Sequence, residues 1–192
     1  MDLFKGQELL KADGSKVSAD SALKGKDYVC LYFSAHWCPP CRKFTPQLKE
    51  WYEEVKSQNV EIVFDSGDRS AKDMMDYMKE SHGDWLATEH ESDLSEQLNK
   101  KFEVSGIPSL VILKADGTLV TKDGRGDVSK HGKKAIEFWN QTAGKGQPNE
   151  PVGQSKEPVG QPNKPVGQPK EPVGGPGSRS LLCCKSYQCT IL

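Results

Sequence analysis

The chain has 192 residues and a net charge of −1, room for one domain with a sizeable core, alone or with an appendage. Lys and Arg gather on no face or stripe, which argues against a nucleic-acid partner, and no apolar run approaches the length of a membrane span. The first residues also lack the apolar run of a secretory leader, so a cytosolic chain is expected, where six cysteines read as reactive groups rather than as a disulfide framework.

The first clear element is Tyr28–Phe33, a short continuous apolar run of the kind buried on both faces of a sheet. Phe44, Leu48, Trp51 and Val55 then recur at helical spacing with charged residues between them, which predicts an amphipathic helix starting near Cys41. A second buried strand is expected at Val60–Phe64, followed by a helix over 70–79 with Ser70 as its N-cap. This βαβ alternation makes the two strands parallel. Another helix is expected at Ser92–Lys101, then a strand at Ser109–Leu113 that turns at Asp116-Gly117 into Leu119–Lys122. The last helix falls near Lys133–Thr142, and Ala143-Gly144 ends it.

Eight of the twelve prolines lie beyond residue 144, and Pro-Val-Gly recurs at 151, 158, 165 and 172. Four valines among prolines and glycines cannot form a core, and proline removes helix donors, so this stretch reads as an extended, disordered spacer. At ~3.1 Å per residue it would reach on the order of 100 Å. The expected organisation is a folded domain at 1–143, the repeat linker at 144–180 and a cysteine-rich tail at 181–192. Residues 1–144 carry 20 basic against 24 acidic side chains, so the folded part is mildly acidic.

Cys38 and Cys41 are separated by Pro39 and Pro40 and sit where a buried strand gives way to a helix. The unsatisfied N–H groups and positive dipole end of that helix favour a thiolate at Cys38, the expected nucleophile, with Cys41 as the resolving thiol. Pro39 and Pro40 stiffen the turn. Half a zinc site, with His36 as a third ligand, is the competing reading of the pair; no second C-x-x-C or H-x-x-H accompanies it, so no metal is expected. Cys30, inside the buried strand, reads as a small apolar core residue, and His82, His90 and His131 read as solvated surface histidines.

The segment from Phe33 to Pro46, with Trp37-Cys38-Pro39-Pro40-Cys41-Arg42 at its centre, resembles the active-site segment of tryparedoxins and nucleoredoxins, within the thioredoxin superfamily. Phe64–Ser70, Trp85–Ala87 and Ile107-Pro108 extend the resemblance over most of residues 1–140. It implies an α/β thioredoxin-like fold, a central mixed sheet flanked by helices, and protein-disulfide reductase activity through a Cys38/Cys41 dithiol-disulfide cycle. It also implies that Pro108 is a cis-proline facing the thiols, that the Ile107 backbone pairs with an incoming peptide, and that Trp37 covers one side of the pair. Trp37, Pro39, Pro40, Ile107 and Pro108 are therefore the expected substrate-binding residues. No bound cofactor is expected. The implied partners are disulfide-containing proteins and an external dithiol donor of thioredoxin, glutathione or trypanothione type. Thioredoxin itself has a buried aspartate six residues before its first cysteine, where this chain has Tyr32; water, Tyr32 or Asp65 must then handle the proton, although Asp65 reads more simply as a turn cap. Residues 83–89 depart from the family's pattern around Trp85.

The chain closes on Cys189-Thr190-Ile191-Leu192, which resembles a geranylgeranylation signal. One lipid chain holds a protein only marginally, and Cys183 and Cys184 beside Leu181 and Leu182 supply a second attachment point by palmitoylation. A peripheral protein on a cytoplasmic membrane face is the resulting expectation. A different class of reading is a redox-regulated binding module of nucleoredoxin type with little turnover.

Overall fold

A computed structural model describes residues 2–142. The linker and the tail, with Cys183, Cys184 and Cys189, lie outside the described residues.

Among the described residues seven strands, β1 (Glu8–Leu10), β2 (Lys16–Ser18), β3 (Tyr28–Ser34), β4 (Val60–Ser66), β5 (Leu86–Ala87), β6 (Ser109–Lys114) and β7 (Leu119–Thr121), form one mixed sheet in the order β2-β1-β5-β4-β3-β6-β7. At its centre β3 (Tyr28–Ser34) runs parallel to β4 (Val60–Ser66) and antiparallel to β6 (Ser109–Lys114), so both edges of β3 are paired and all seven of its residues are buried. The register places Cys30 beside Ile62 and Ile112, and Tyr32 beside Phe64 and Leu110.

Side chains alternate across the sheet and feed two cores. On one face Cys30, Tyr32, Ile62, Phe64 and Ile112 pack under α2 (Pro39–Val55), α3 (Ala71–Ser81) and α6 (Ala135–Thr142), with Leu48, Trp51, Tyr77 and Trp139 filling the layer. On the other face Val29, Leu31, Phe33, Val63 and Val111 meet Leu94, Leu98 and Phe102 of α4 (Asp93–Phe102), joined by Phe4 and Leu9. Cys30 belongs to the first core, where burial pushes its thiol pKa far up, as an inert apolar side chain requires.

Ser70 caps α3 by accepting from the Asp73 N–H, and Ser92 caps α4 in the same way from Ser95. Pro46 sits inside α2, where its missing N–H leaves the Arg42 carbonyl without its helical donor.

Four pieces were not anticipated. The hairpin β1 (Glu8–Leu10) and β2 (Lys16–Ser18), the one-turn α1 (Ala19–Ala22) and the two-residue β5 (Leu86–Ala87) are too short to carry a periodic signal. Helix α5 (Gly124–His131) has two glycines in its first turn and is held by its surroundings. Asp123 caps it by accepting from the Gly126 N–H at 3.1 Å, and Asp127 accepts the Trp139 indole N–H at 2.8 Å. The last helix is shorter than expected, because Gly132–Lys134 forms a 3-10 turn before Ala135. β7 ends at Thr121.

Gly124 is where α5 meets β6. A Cβ there would lie 2.6 Å from Ile112 Cδ1 and 2.8 Å from the Leu110 carbonyl oxygen, and a backbone atom cannot swing aside. Gly124→Ala is therefore expected to destabilise the domain by about 1–3 kcal/mol, as overpacking does, read as a lower midpoint in urea.

Candidate active site

The site forms where the parallel pair β3 and β4 ends and a loop crosses to α2, the usual location of sites in open α/β sheets. Cys38 is the N-cap of α2, in an extended conformation, and the Arg42 N–H closes the first helical turn onto the Cys38 carbonyl at 3.1 Å. Pro39 and Pro40 occupy the first two helical positions, which suits their fixed φ.

That placement refines the expected electrostatics. Prolines carry no N–H, so of the first three helical positions only Cys41 brings a backbone donor to the helix end. The dipole still points its positive end at Cys38, but with fewer explicit hydrogen bonds behind it.

Both Cys38 and Cys41 are buried. The Cys38 thiol donates to the Ile107 carbonyl oxygen at 3.7 Å, and the Ile107-Pro108 peptide bond is cis, so the cis-proline loop lies against the first cysteine. The Ile107 carbonyl, one of the backbone groups expected to meet a peptide, is thus occupied by the thiol. Arg125, on the unanticipated α5, donates to the Pro108 carbonyl at 3.1 Å and ties that loop to the helix. No pattern in the sequence singled it out.

Trp37 is 37% exposed, one of two large apolar side chains left open among the described residues, and its indole N–H donates to the Gly67 carbonyl at 2.8 Å. The loop after β4 is the other half of this arrangement. Asp68 accepts the His36 N–H at 2.7 Å and the Ser66 hydroxyl at 2.9 Å, and its own carbonyl bonds His90 Nε2 at 2.8 Å. Burial raises the Asp68 pKa, against the His36 N–H that favours its charged form. His36, Trp37, Arg42, Asp68, Arg69 and Asp73 line a shallow cleft beside the thiols. Arg42 spends one guanidinium N–H on the His36 carbonyl at 2.7 Å. Pro39 is exposed and Pro40 half-buried at the rim.

The expectations for the three histidines and for Asp65 change. His82 is not solvated: it is 4% exposed, its Nδ1 accepts the Trp85 indole N–H at 3.1 Å, and Phe64 and Tyr77 each pack 4.4 Å from its ring. His90 is mostly covered, and His131 stacks on Phe138. Polar neighbours in sequence hid contacts that only the fold creates. Asp65 caps no turn; its carboxylate accepts from Thr88 Oγ1 at 2.7 Å and Asn99 Nδ2 at 2.6 Å, joining β4 to α4, while burial raises its pKa. Trp85, within the segment that departs from the family's pattern, is buried against Tyr52.

Among the described residues no cluster of three or more His, Cys, Asp or Glu is placed to hold a metal. The His36 ring instead stacks on Tyr77 at 5.0 Å.

Residues 25–119 match a thioredoxin-like family model. Over 138 residues the chain is 39% identical to probable nucleoredoxin 3 of Oryza sativa subsp. japonica, covering 70% of this chain and 28% of that protein. The chain thus spans little more than a quarter of that relative's length. Among solved structures, a thioredoxin from Wuchereria bancrofti is 50% identical with a TM-score of 0.62, covering 70% of this chain and 94% of that one. A tryparedoxin II complexed with glutathionylspermidine is 37% identical with a TM-score of 0.62, covering 69% and 92%. A mixed sheet with these helices, a Cys-Pro-Pro-Cys helix start facing a cis-proline, and likeness along nearly the whole length of such structures place the chain in the thioredoxin superfamily, in its nucleoredoxin and tryparedoxin-like branch.

Proposed function

We propose that the chain is a protein-disulfide reductase working through Cys38 and Cys41. The observation that carries this is the meeting of Cys38, at the positive end of α2, with the cis-proline loop, three residues before a second cysteine. Cys38 thiolate attacks a partner disulfide, one partner sulfur leaves as thiolate, and a mixed disulfide forms. Cys41 then attacks Cys38 sulfur, closes the Cys38–Cys41 bond and releases the reduced partner. An external dithiol of thioredoxin, glutathione or trypanothione type returns two electrons and resets the pair. Trp37, Pro39, Pro40, Ile107 and Pro108 form the rim on which the partner rests. Insulin reduction with dithiothreitol as donor tests the reading, with Cys38→Ser and Cys41→Ser as the deciding variants.

Complete burial of both sulfurs favours a second reading, a redox-gated binding module of nucleoredoxin type with little turnover. Many insulin disulfides reduced per chain support the reductase; a single stoichiometric event per chain supports the gate.

The proposed location is a cytoplasmic membrane face, held by geranylgeranyl at Cys189 and palmitoyl at Cys183 or Cys184. The support is the terminal Cys-Thr-Ile-Leu sequence and the two-signal requirement for stable anchoring. Cys189→Ser is expected to move the protein from the membrane pellet to the soluble fraction on cell fractionation; an unchanged distribution removes the tether.

A further inference from the structure

The loop that precedes β6 holds two adjacent carbonyls beside the first cysteine, and their donors are unequal. The Pro108 carbonyl accepts from the Arg125 guanidinium at 3.1 Å, a charge-assisted bond, whereas the Ile107 carbonyl accepts from the Cys38 thiol at 3.7 Å. A thiol is a weak donor. It is also one that vanishes on ionisation: a Cys38 thiolate has no proton to give, and its negative sulfur then faces the negative end of the Ile107 carbonyl. Ile107 is 4% exposed and Cys38 is fully buried, so water is poorly placed to take over at either atom. A buried carbonyl deprived of its donor is costly until another N–H or O–H replaces it. Proline at 108 carries no N–H, so at that step of the loop the backbone can only accept.

We propose that ionisation of Cys38 hands the Ile107 carbonyl to a backbone N–H of the partner, so that docking of an extended peptide and formation of the nucleophile promote each other. Two donors can share one carbonyl oxygen, but each weakens the other's bond. A peptide N–H on Ile107 therefore loosens the thiol proton, and the thiol proton in place holds the peptide off. The contact that breaks is S–H···O and the one that replaces it is N–H···O. The Cys38 proton goes to solvent, and no electron moves until the thiolate attacks.

The inference rests on the reductase reading above and concerns the moment before its first step. It also names a substrate class: disulfides set in an extended segment with an unpaired amide N–H beside the sulfur. A small disulfide without an amide, such as diethyl disulfide, meets the carbonyl still held by the thiol and gains nothing from it.

The titratable and charged groups around Cys38 are Cys41 and Arg42 of α2, His36 with Glu80 of α3 at 3.7 Å, Asp68 after β4, which accepts the His36 N–H, and Arg125 of α5 on the Pro108 carbonyl. Arg42 and Arg125 keep their charge throughout. Cys41, His36 and Asp68 are the groups to control.

The test is binding of an unreactive probe to the full reduced chain in a Cys41→Ser background. The probe is a blocked, uncharged pentapeptide, Val-Ala-X-Val-Ala with S-methylcysteine at X, which neither titrates nor exchanges. Its Kd is expected to fall about tenfold as pH rises through the Cys38 midpoint, and by reciprocity saturating peptide lowers that midpoint, followed with 13Cβ-labelled cysteine, by the same factor, about one pH unit. Cys38→Ala, which leaves no competing donor at position 38, binds the peptide more tightly than Cys38→Ser, whose hydroxyl donates at every pH, and neither affinity changes with pH. N-methylation of the peptide backbone abolishes the pH dependence, whereas His36→Gln and Asp68→Asn leave it in place. Equal binding or no binding by the alanine and serine variants overturns the proposal, and so does an unmoved Cys38 midpoint. A pH dependence that survives in Cys38→Ala or with the N-methylated peptide, or that vanishes with His36→Gln or Asp68→Asn, does the same. No turnover is involved, so failure of the reductase reading shows in the insulin assay and failure of the coupling shows here.

Discussion

Cys38→Ser is expected to reduce insulin no faster than dithiothreitol alone, whereas Cys41→Ser completes the first attack and stops. A hydroxyl is almost wholly protonated near neutrality, where a thiol at a helix start is substantially ionised, so serine at 38 removes the attacking anion. The loss is expected to exceed about 10³-fold, the scale on which deletion of a covalent nucleophile acts. Cys41→Ser keeps the nucleophile and removes the group that ends the adduct, so a mixed disulfide accumulates and migrates as a larger species on a non-reducing gel until dithiothreitol is added. The asymmetry follows from geometry, because Cys38 faces the cis-proline loop while Cys41 lies three positions further into the helix. Equal residual activity in the two variants would contradict this division of labour.

Acidification supplies the second large effect. His82 is buried among Tyr32, Phe64, Tyr77 and Trp85, and desolvation drives its pKa down from an ordinary 6.5 to about 3. Above pH 6.5 neither the folded nor the unfolded chain protonates this ring, and it adds no pH dependence. Below 6.5 the unfolded chain binds a proton that the folded chain refuses, so stability falls as pH falls and levels off near 3. At 1.36 kcal/mol per unit the loss is about 3 kcal/mol by pH 4, a large share of the 5–15 kcal/mol that typically holds a domain together. Asp65 and Asp68, whose pKa values are raised, act in the opposite sense, taking up protons earlier in the folded chain. The difference between the native chain and His82→Gln removes their contribution. Urea midpoints measured at pH 7, 5.5 and 4.5 should fall more steeply for the native chain than for His82→Gln. Parallel slopes would mean that His82 is protonated in the folded state.

How much of this was legible in the sequence depends on where each signal is stored. Tyr28–Phe33 and Val60–Phe64 announce themselves because a strand buried on both faces must be apolar throughout, and the Phe44, Leu48, Trp51, Val55 stripe because a helix on a sheet hides one side. Ser70 and Ser92 mark their helices by local chemistry. The thiol pair and its two prolines were readable because their motif is contiguous, whereas the cis state of Pro108 was implied by the family resemblance alone. The hidden parts are those whose determinants lie elsewhere in sequence: α5 packs its Gly124 on Leu110 and Ile112 of β6, His82 is buried by residues from β3, β4 and α3, and the hydroxyls of Tyr32, Ser34, Thr45 and Tyr77 meet from three separate elements. A one-dimensional pattern records spacing along a chain, whereas these arrangements record adjacency across one.

The position of β3 between β4 and β6 also governs how the protein is made. Ser34 pairs with Ser66, but its neighbour Phe33 waits for Ser109, about 75 residues further along. A ribosome adding 5–20 residues per second needs about 4–15 s to supply that stretch. For that interval the most apolar strand of the nascent chain has one bare edge, the kind of surface on which chaperones act and aggregates begin.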